Sequence, residues 1–181
     1  LDDMDKVLAT TSAKKLTIYN GRYLNAWCPR FTPEFVEGTA LSGFRYEAEF
    51  FAADPFWYST TQTSETFSHT AGGTFSHSNP GSFLVYPKIT IVMNPGSPTN
   101  IAITLTNSST GKSFTWSKTS SSGGTLVVDC SALTVVLGAV SALADFSGTF
   151  FWLVSGTNDF TLGSNVPTDT TIAYNARYLQ P

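Results

Sequence analysis

The chain has 181 residues, of which 41% are hydrophobic and only 13% are charged, and its formal net charge is −3. This hydrophobic fraction supports a folded core and excludes a disordered chain. The net acidity and the scattered Lys and Arg residues exclude a nucleic-acid-binding surface, and no apolar run approaches the ~18 residues of a membrane span. We therefore expect no nucleic-acid partner and no membrane insertion.

The first 58 residues predict a small β-rich domain. Apolar side chains recur at helical spacing within residues 1–15, so we expect one short helix there. Residues 16–27 predict a hairpin, because Asn20-Gly21 separates two β-rich runs. The chain starts without an initiator Met or a signal peptide, and we expect that an upstream portion of this domain is missing.

Residues 44–50 alternate strictly between apolar and polar side chains, which predicts a strand, and Asp54-Pro55 ends it. The apolar side, which we expect to face the core, consists of Phe44, Tyr46, Ala48 and Phe50. The polar side consists of Arg45, Glu47 and Glu49. A polar face with both signs of charge is either solvated or presented to a neighbouring subunit, so these three residues are the candidate oligomer interface.

Residues 59–69 are mostly polar and predict a connector, and residues 70–181 predict an antiparallel β-sandwich of the jelly-roll kind. Turn residues such as Asn79-Pro80-Gly81 separate short alternating runs throughout this second block. We expect strands at residues 66–69, 73–77, 82–85, 88–93, 101–106, 113–117, 125–129, 134–137, 148–154, 159–162 and 171–177. The fold class is therefore all-β.

The two histidines of the chain lie in a near repeat, because residues 66–69 and 74–77 both read TFSH. Alternation places Phe67 with His69 on one face and Phe75 with His77 on one face. We interpret the two copies as a hairpin that turns at the intervening glycines. A metal would need at least three converging ligands, and the segment adds only one Glu, so we predict no metal site.

Catalysis needs titratable groups that converge, and the second block has few. Beyond residue 66 the only acids are Asp129, Asp145, Asp159 and Asp169, all at strand ends or turns. No nucleophile, metal-hydrolase or nucleotide-binding motif occurs. We therefore expect that the protein is not an enzyme, with no catalytic residue and no cofactor.

Two tryptophans and two cysteines allow more specific expectations. Trp152 lies within the apolar run FFWLV and is expected in the core, whereas Trp116 alternates with polar residues in SFTWSK and is the candidate glycan-facing aromatic. Cys28 and Cys130 form either one long-range disulfide or two thiols, and assembly in a cytosol favours thiols.

Several phrases of the sequence, in their order, resemble the distal tail protein family of long-tailed bacteriophages. The first is the Asp-Pro-aromatic phrase of residues 54–58, at the end of the strand that closes the family's ring-forming domain. The others lie in the second block and consist of Asn79-x-Gly81 with Pro87, Ile89 and Ile91, Thr110-Gly111, Asp129-Cys130, and Gly156-x-Asn158. The resemblance covers roughly residues 40–165.

The resemblance implies a ring-forming domain at residues 1–58, incomplete at its start, a connector at 59–69, and a galectin-like β-sandwich at 70–181. It implies a structural component of the phage tail tip or baseplate, whose ring, a hexamer in the family, connects the tail tube protein to the tail-tip hub protein and the receptor-binding apparatus. The expected location is the virion, after assembly in the host cytoplasm. The alternative is a carbohydrate-binding module that attaches to a host glycan, so a receptor-binding protein or a glycan is a further candidate partner.

Overall fold

The computed structural model describes residues 12–17, 21–36, 43–97 and 99–179, and they divide between two compact units, Leu1–Thr60 with Leu179–Pro181 and Thr61–Tyr178. Nearly all regular structure is β, and the paired strands are antiparallel. The helix expected within residues 1–15 falls mainly outside the described residues, and its end, Lys14 and Lys15, lies in a strand instead. Among the described residues, no helix has the length and apolarity to cross a membrane.

The described part of the first unit contains four strands, β1 (Lys14–Thr17), β2 (Arg22–Val36), β3 (Gly43–Phe51) and β4 (Trp57–Ser59). Strand β1 pairs with the start of β2, which confirms the predicted hairpin, although residues 18–20 of its turn lie outside the described residues. Gly21 has φ +68° and its carbonyl accepts a hydrogen bond from the Thr60 amide at 2.7 Å. Strand β3 ends at Phe51, shortly before Asp54-Pro55, as predicted.

The second unit is a β-sandwich with a six-stranded and a five-stranded sheet. The strands of these two sheets are β5 (Thr63–His69), β6 (Gly73–Asn79), β7 (Lys88–Met93), β8 (Thr99–Asn107), β9 (Lys112–Ser121), β10 (Gly124–Asp129), β11 (Thr134–Leu137), β12 (Val140–Ser141), β13 (Phe146–Gly148), β14 (Gly156–Ser164) and β15 (Thr168–Tyr174). A further short strand, β16 (Arg177–Tyr178), follows β15 and belongs to neither sheet. The sheet orders are β12-β11-β10-β7-β15-β5 and β13-β9-β8-β14-β6. A 3₁₀ turn lies at Leu143–Asp145. The predicted all-β antiparallel sandwich is confirmed.

The core of the sandwich lies between the inner faces of the two sheets. Every second residue of β7 is buried in one sheet, and Phe114 and Trp116 of β9 are fully buried in the other. Each such side chain stabilises the fold by about 1.5–3 kcal/mol relative to an exposed one. The alternation of apolar and polar residues along the strands thus follows from this two-layer packing.

Strand β5 occupies residues 63–69, where we expected part of a connector. It pairs along its whole length with β15, from Thr63 opposite Tyr174 to His69 opposite Thr168. Its composition is polar because it is an edge strand whose outer face is exposed, so its only inward apolar side chain is Phe67. Polarity alone therefore did not distinguish this edge strand from a loop.

The two TFSH segments do not form the predicted hairpin. Strand β5 belongs to the six-stranded sheet and β6 to the five-stranded sheet, so the chain crosses between sheets at residues 70–72. The predicted grouping of each Phe with its His on one face is correct, and the two faces meet across the sandwich, where Phe67 stacks on Phe75 with ring centroids 4.2 Å apart. Gly73 allows this crossing, because a Cβ there would lie 2.2 Å from Cδ2 of His69. The crossing stacks the two half-buried phenylalanines face to face between the sheets, whereas a hairpin within one sheet would leave them side by side.

Residues 149–155, which include most of the strand expected at 148–154, form no ladder apart from a bridge between Leu153 and Val85. Their backbone is held instead by buried asparagine side chains. Asn107 Nδ2 donates to the Trp152 carbonyl at 3.2 Å, and Asn158 Oδ1 accepts from the Val154 amide at 2.9 Å. The Val154 carbonyl accepts from Nδ2 of both Asn158, at 2.9 Å, and Asn79, at 3.2 Å. The segment expected at 82–85 likewise contributes only Val85 to a bridge.

Replacement of Asn158 by Ala should destabilise the protein by about 2–4 kcal/mol, because it leaves the amide and carbonyl of Val154 short of partners in a partly buried place. The free energy of unfolding in urea measures this. Asn165→Ala is the matched control, because Asn165 also bonds two backbone groups but in an exposed place, and it should cost less than about 1 kcal/mol. Equal losses in the two variants would contradict the role given to burial.

Candidate functional site

The first unit contains a two-stranded segment, residues 27–36 of β2 and 43–51 of β3, which we call the β2–β3 ribbon. Pairing is antiparallel, with a bulge between Trp27 and Arg30. Strands β1 and β4 pair with β2 at its start, before the ribbon begins, so no third strand in the described part of the chain extends the ribbon. A strand edge of this kind is a template for pairing with another chain.

One face of the ribbon is charged, and it contains the predicted interface residues. Register places Glu49 opposite Arg30, Glu47 opposite Thr32, and Arg45 opposite Glu34, and all six side chains are exposed. Residues directly opposite in an antiparallel pair share a face, so opposite charges alternate across the strands. A depression of about 370 Å³ lies among Thr32, Glu34, Arg45, Tyr46 and Glu47. The structure thus brings Arg45, Glu47 and Glu49 together on one exposed face.

The opposite face is apolar but is not a core, which corrects our expectation. Tyr46 is 56% exposed and Phe50 is 42% exposed, while Ala48 is half-buried and the side chain of Phe44 lies outside the described residues. The ring of Tyr46 lies 5.8 Å from that of Phe31 on the neighbouring strand. Alternation correctly showed which residues share a face, but it does not show whether anything covers that face.

Trp116 is fully buried in the sandwich core, so it is not a glycan-facing aromatic. It lies on the same face of β9 as Phe114, and both point between the sheets while the serine and threonine neighbours point outward. The alternation in SFTWSK therefore indicated an inner face. The indole Nε1 is buried without a hydrogen-bond partner among the described residues.

Trp152 was predicted in the core and is instead only half-buried. Because asparagine side chains hold residues 149–155 away from a sheet, Phe151 and Leu153 point into the core and Trp152 points outward. Its ring lies edge-on to the exposed Tyr86, with centroids 6.4 Å apart. The two tryptophans thus exchange the roles that the sequence predicted for them.

Trp116→Ala should cost about 3–5 kcal/mol of stability, because it opens a cavity in a packed core, whereas Trp152→Ala should cost less than about 2 kcal/mol. Urea unfolding of both variants checks this, with soluble yield as a second measurement. The two substitutions remove the same atoms, so each controls for the other. A larger loss for Trp152 would contradict the burial described above.

The two histidines lie on the inner faces of the sandwich edge formed by β5 and β6. His77 is 2% exposed, with Nδ1 at 2.6 Å from Glu65 Oε2 and Nε2 at 2.9 Å from the Tyr174 hydroxyl. His69 packs near Phe75, and its Nδ1 is buried without a partner among the described residues. Within the described ranges, no three His, Cys, Asp or Glu side chains converge as a metal site requires.

Cys28 and Cys130 are both buried free thiols, so the structure has the thiol form rather than the disulfide. Burial raises the pKa of the Cys130 thiol to about 12. Burial, with a smaller contribution from the nearby Glu65 carboxylate, also raises the pKa of the Tyr174 hydroxyl to about 12. Both groups are therefore held neutral in the fold, and Cys130 is unreactive because only a thiolate is nucleophilic.

Stability should fall as the pH rises from about 9 to about 12. The unfolded chain releases the Cys130 proton near pH 9 and the Tyr174 proton near pH 10, while the folded protein keeps both to about pH 12. Between its unfolded and folded pKa values, each group then lowers the free energy of unfolding by about 1.4 kcal/mol per pH unit. Comparison of Tyr174→Phe and Cys130→Ala with the wild type, by urea unfolding at several alkaline pH values, should show a shallower loss in each variant. If the free energy of unfolding fell equally steeply with pH in the variants and in the wild type, these groups would not titrate as argued.

Comparison with known proteins supports the resemblance seen in the sequence. Residues 80–178 match the family model of the siphovirus-type tail component, C-terminal domain. That range covers most of the sandwich, including the Asp129-Cys130 and Gly156-x-Asn158 phrases. No curated protein sequence matches the chain.

The fold is similar to that of the Dit protein of phage SPP1, with a TM-score of 0.69 and 17% sequence identity. The similarity covers 96% of this chain and 69% of the SPP1 protein, whose crystal structure is described as a paradigm of the hub adsorption apparatus in phages that infect Gram-positive bacteria. The family match covers more than half of the chain. The chain therefore belongs to the siphovirus-type tail component family, and it is a structural component of the phage tail and hence of the virion.

Proposed function

We propose that this tail component forms a ring at the tail tip, which connects the tail tube to the distal tip and the receptor-binding apparatus. In this proposal residues 1–58 supply the ring domain, residues 59–69 lead out of it, and residues 70–181 form the outward sandwich. Family membership and the SPP1 Dit-like fold support a hub role. The observation that carries the proposal is the β2–β3 ribbon, which is exposed on both faces and is extended by no third strand in the described chain.

The ribbon is poorly suited to exist alone in water. Two paired strands without further cover are at best marginally stable, and this ribbon exposes Tyr46, Phe50 and Phe51, the last by 52%. If the ribbon of a second copy packs against this one, the strand edges gain hydrogen-bond partners and the aromatic rings are buried. A head-to-tail contact of this kind continues without end unless it closes, so we propose a closed ring, a hexamer as in the family.

The charged face gives such a contact its register. Arg45 and Glu47 neighbour each other on β3 with opposite charges, and Arg30 and Glu34 add the same alternation on β2. Complementary charges across an interface fix orientation and exclude wrong partners more than they add affinity. We therefore propose that Arg45, Glu47 and Glu49 face a neighbouring subunit.

The remaining partners in the proposal are the tail tube protein, the tail-tip hub protein and a receptor-binding protein, with assembly in the host cytoplasm. This function requires complementary surfaces rather than chemistry, and it agrees with our expectation that the protein is not an enzyme. The candidate aromatic residue of the carbohydrate-binding alternative, Trp116, is buried, so we do not propose that alternative for this chain.

The test is a double charge reversal, Glu47→Lys with Glu49→Lys, in the full-length protein. Circular dichroism should show an unchanged fold, and light scattering should show a shift from the assembled species to monomer. The shift should be larger at low salt, where exposed charges are less screened.

The matched control is Asp145→Lys with Asp169→Lys, which makes the same change in net charge on the sandwich and should leave assembly intact. Unchanged assembly of the Glu47 and Glu49 variant would remove these residues from the interface. A wild-type protein that is monomeric at every concentration would exclude the ring itself.

A further inference from the structure

The sandwich edge between β5 and β6 contains a hydrogen-bonded network of polar side chains that the assembly function does not use. It runs from the half-exposed Glu65 on β5, through the buried His77 on β6, to Tyr174 on β15. The Tyr174 hydroxyl then donates to the Ser78 carbonyl at 3.1 Å. This network therefore joins two strands of the six-stranded sheet to one strand of the five-stranded sheet.

The hydrogen-bond partners of His77 are compatible with a doubly protonated ring. Nδ1 lies 2.6 Å from a carboxylate oxygen of Glu65, which accepts, so Nδ1 donates. A tyrosine hydroxyl has one proton, and when Tyr174 donates it to the Ser78 carbonyl at 3.1 Å, Nε2 of His77, 2.9 Å from the same oxygen, must donate as well. Both ring nitrogens then bear protons. Donation by Tyr174 to Nε2 instead would leave the ring neutral.

The surroundings of His77 fit this assignment. Apart from Glu65 and Tyr174, its aromatic neighbour is Phe67, edge-on at 6.3 Å, so the Glu65 carboxylate is the charge that compensates the ring. The contact distance of 2.6 Å is short, as expected for a hydrogen bond between two charged groups. A buried cation without this carboxylate would be costly.

We propose that Glu65, His77 and Tyr174 form a charged latch, in which a doubly protonated His77 ties β5 to β6 across the two sheets and fixes which TFSH segment occupies which strand. An edge strand as polar as β5 has a weakly specified register, and the two TFSH segments offer the same Phe and His spacing. Only the copy at β6 finds a carboxylate, because Glu65 precedes the first copy and glycine precedes the second. His69, in the other copy, has no partner at Nδ1 among the described residues.

Nitrogen-15 NMR of the imidazole rings tests the charge directly. The chain has two histidines, so the spectrum of a His69→Gln variant assigns His77. At neutral pH both ring nitrogens of His77 should resonate where protonated nitrogens do. One protonated and one bare nitrogen would overturn the charged latch.

Hydrogen exchange measured by mass spectrometry tests the locking role. His77→Gln and Glu65→Gln should each raise amide exchange in residues 63–69 by about tenfold, the effect of losing a charge-assisted hydrogen bond. Glu65→Gln keeps an acceptor next to Nδ1 at a half-exposed position, so it remains folded even if His77→Gln does not.

The matched control is Ser76→Ala, which removes an exposed hydrogen bond to Asp159 from the outer face of the same β6 strand and should change exchange less than about twofold. Exchange in the Glu65→Gln variant equal to that of the wild type would show that the charge of Glu65 does not hold the edge. Failure of the ring proposal would leave these results unaffected, because both experiments report on the sandwich alone.

Discussion

Three buried asparagine side chains, Asn79, Asn107 and Asn158, supply hydrogen bonds that a neighbouring strand would otherwise supply to residues 152–156. Without them the buried carbonyls of this segment would cost about 1–3 kcal/mol each. With them, Phe151 and Leu153 enter the core although their segment pairs with no strand along its length. The packing of the sandwich end therefore depends on side-chain amides that imitate a backbone ladder.

This constraint also explains two of the phrases on which the family resemblance was based. In Asn79-x-Gly81 the asparagine oxygen accepts from the Gly81 amide at 3.0 Å, and a Cβ at residue 81 would lie 2.5 Å from the Arg177 carbonyl. In Gly156-x-Asn158 the glycine has φ +83°, and its carbonyl accepts from Asn158 at 3.0 Å. These residues are turn formers by composition, but their physical role is to close the sandwich around an irregular segment.

The sequence predicted most of the sandwich because burial there is regular. Strand β7 alternates between buried and half-exposed residues, and its bounds were predicted at 88–93 as observed. Several of the failures share one cause, which is that alternation groups residues by face without showing what covers the face. Trp116 was correctly seen to alternate with polar residues but was assigned to the outer side, and Tyr46 and Phe50 were grouped correctly but lie exposed. The crossing from β5 to β6 failed similarly, since the sheet to which an edge strand belongs depends on distant β15 and β14.

The two units satisfy their polar and apolar groups in different ways, and this difference bears on function. In the sandwich the large side chains of both inner faces are covered, and buried amides such as Asn107 have partners within the same unit. In the β2–β3 ribbon the aromatic residues Tyr46, Phe50 and Phe51 remain exposed, next to a face with paired opposite charges. A surface of this kind is stable in solution only at a cost, and the cost is removed when a complementary surface covers it. Under the ring proposal this complementary surface belongs to a neighbouring subunit, and the exposed ribbon of the first unit is then the physical basis of assembly.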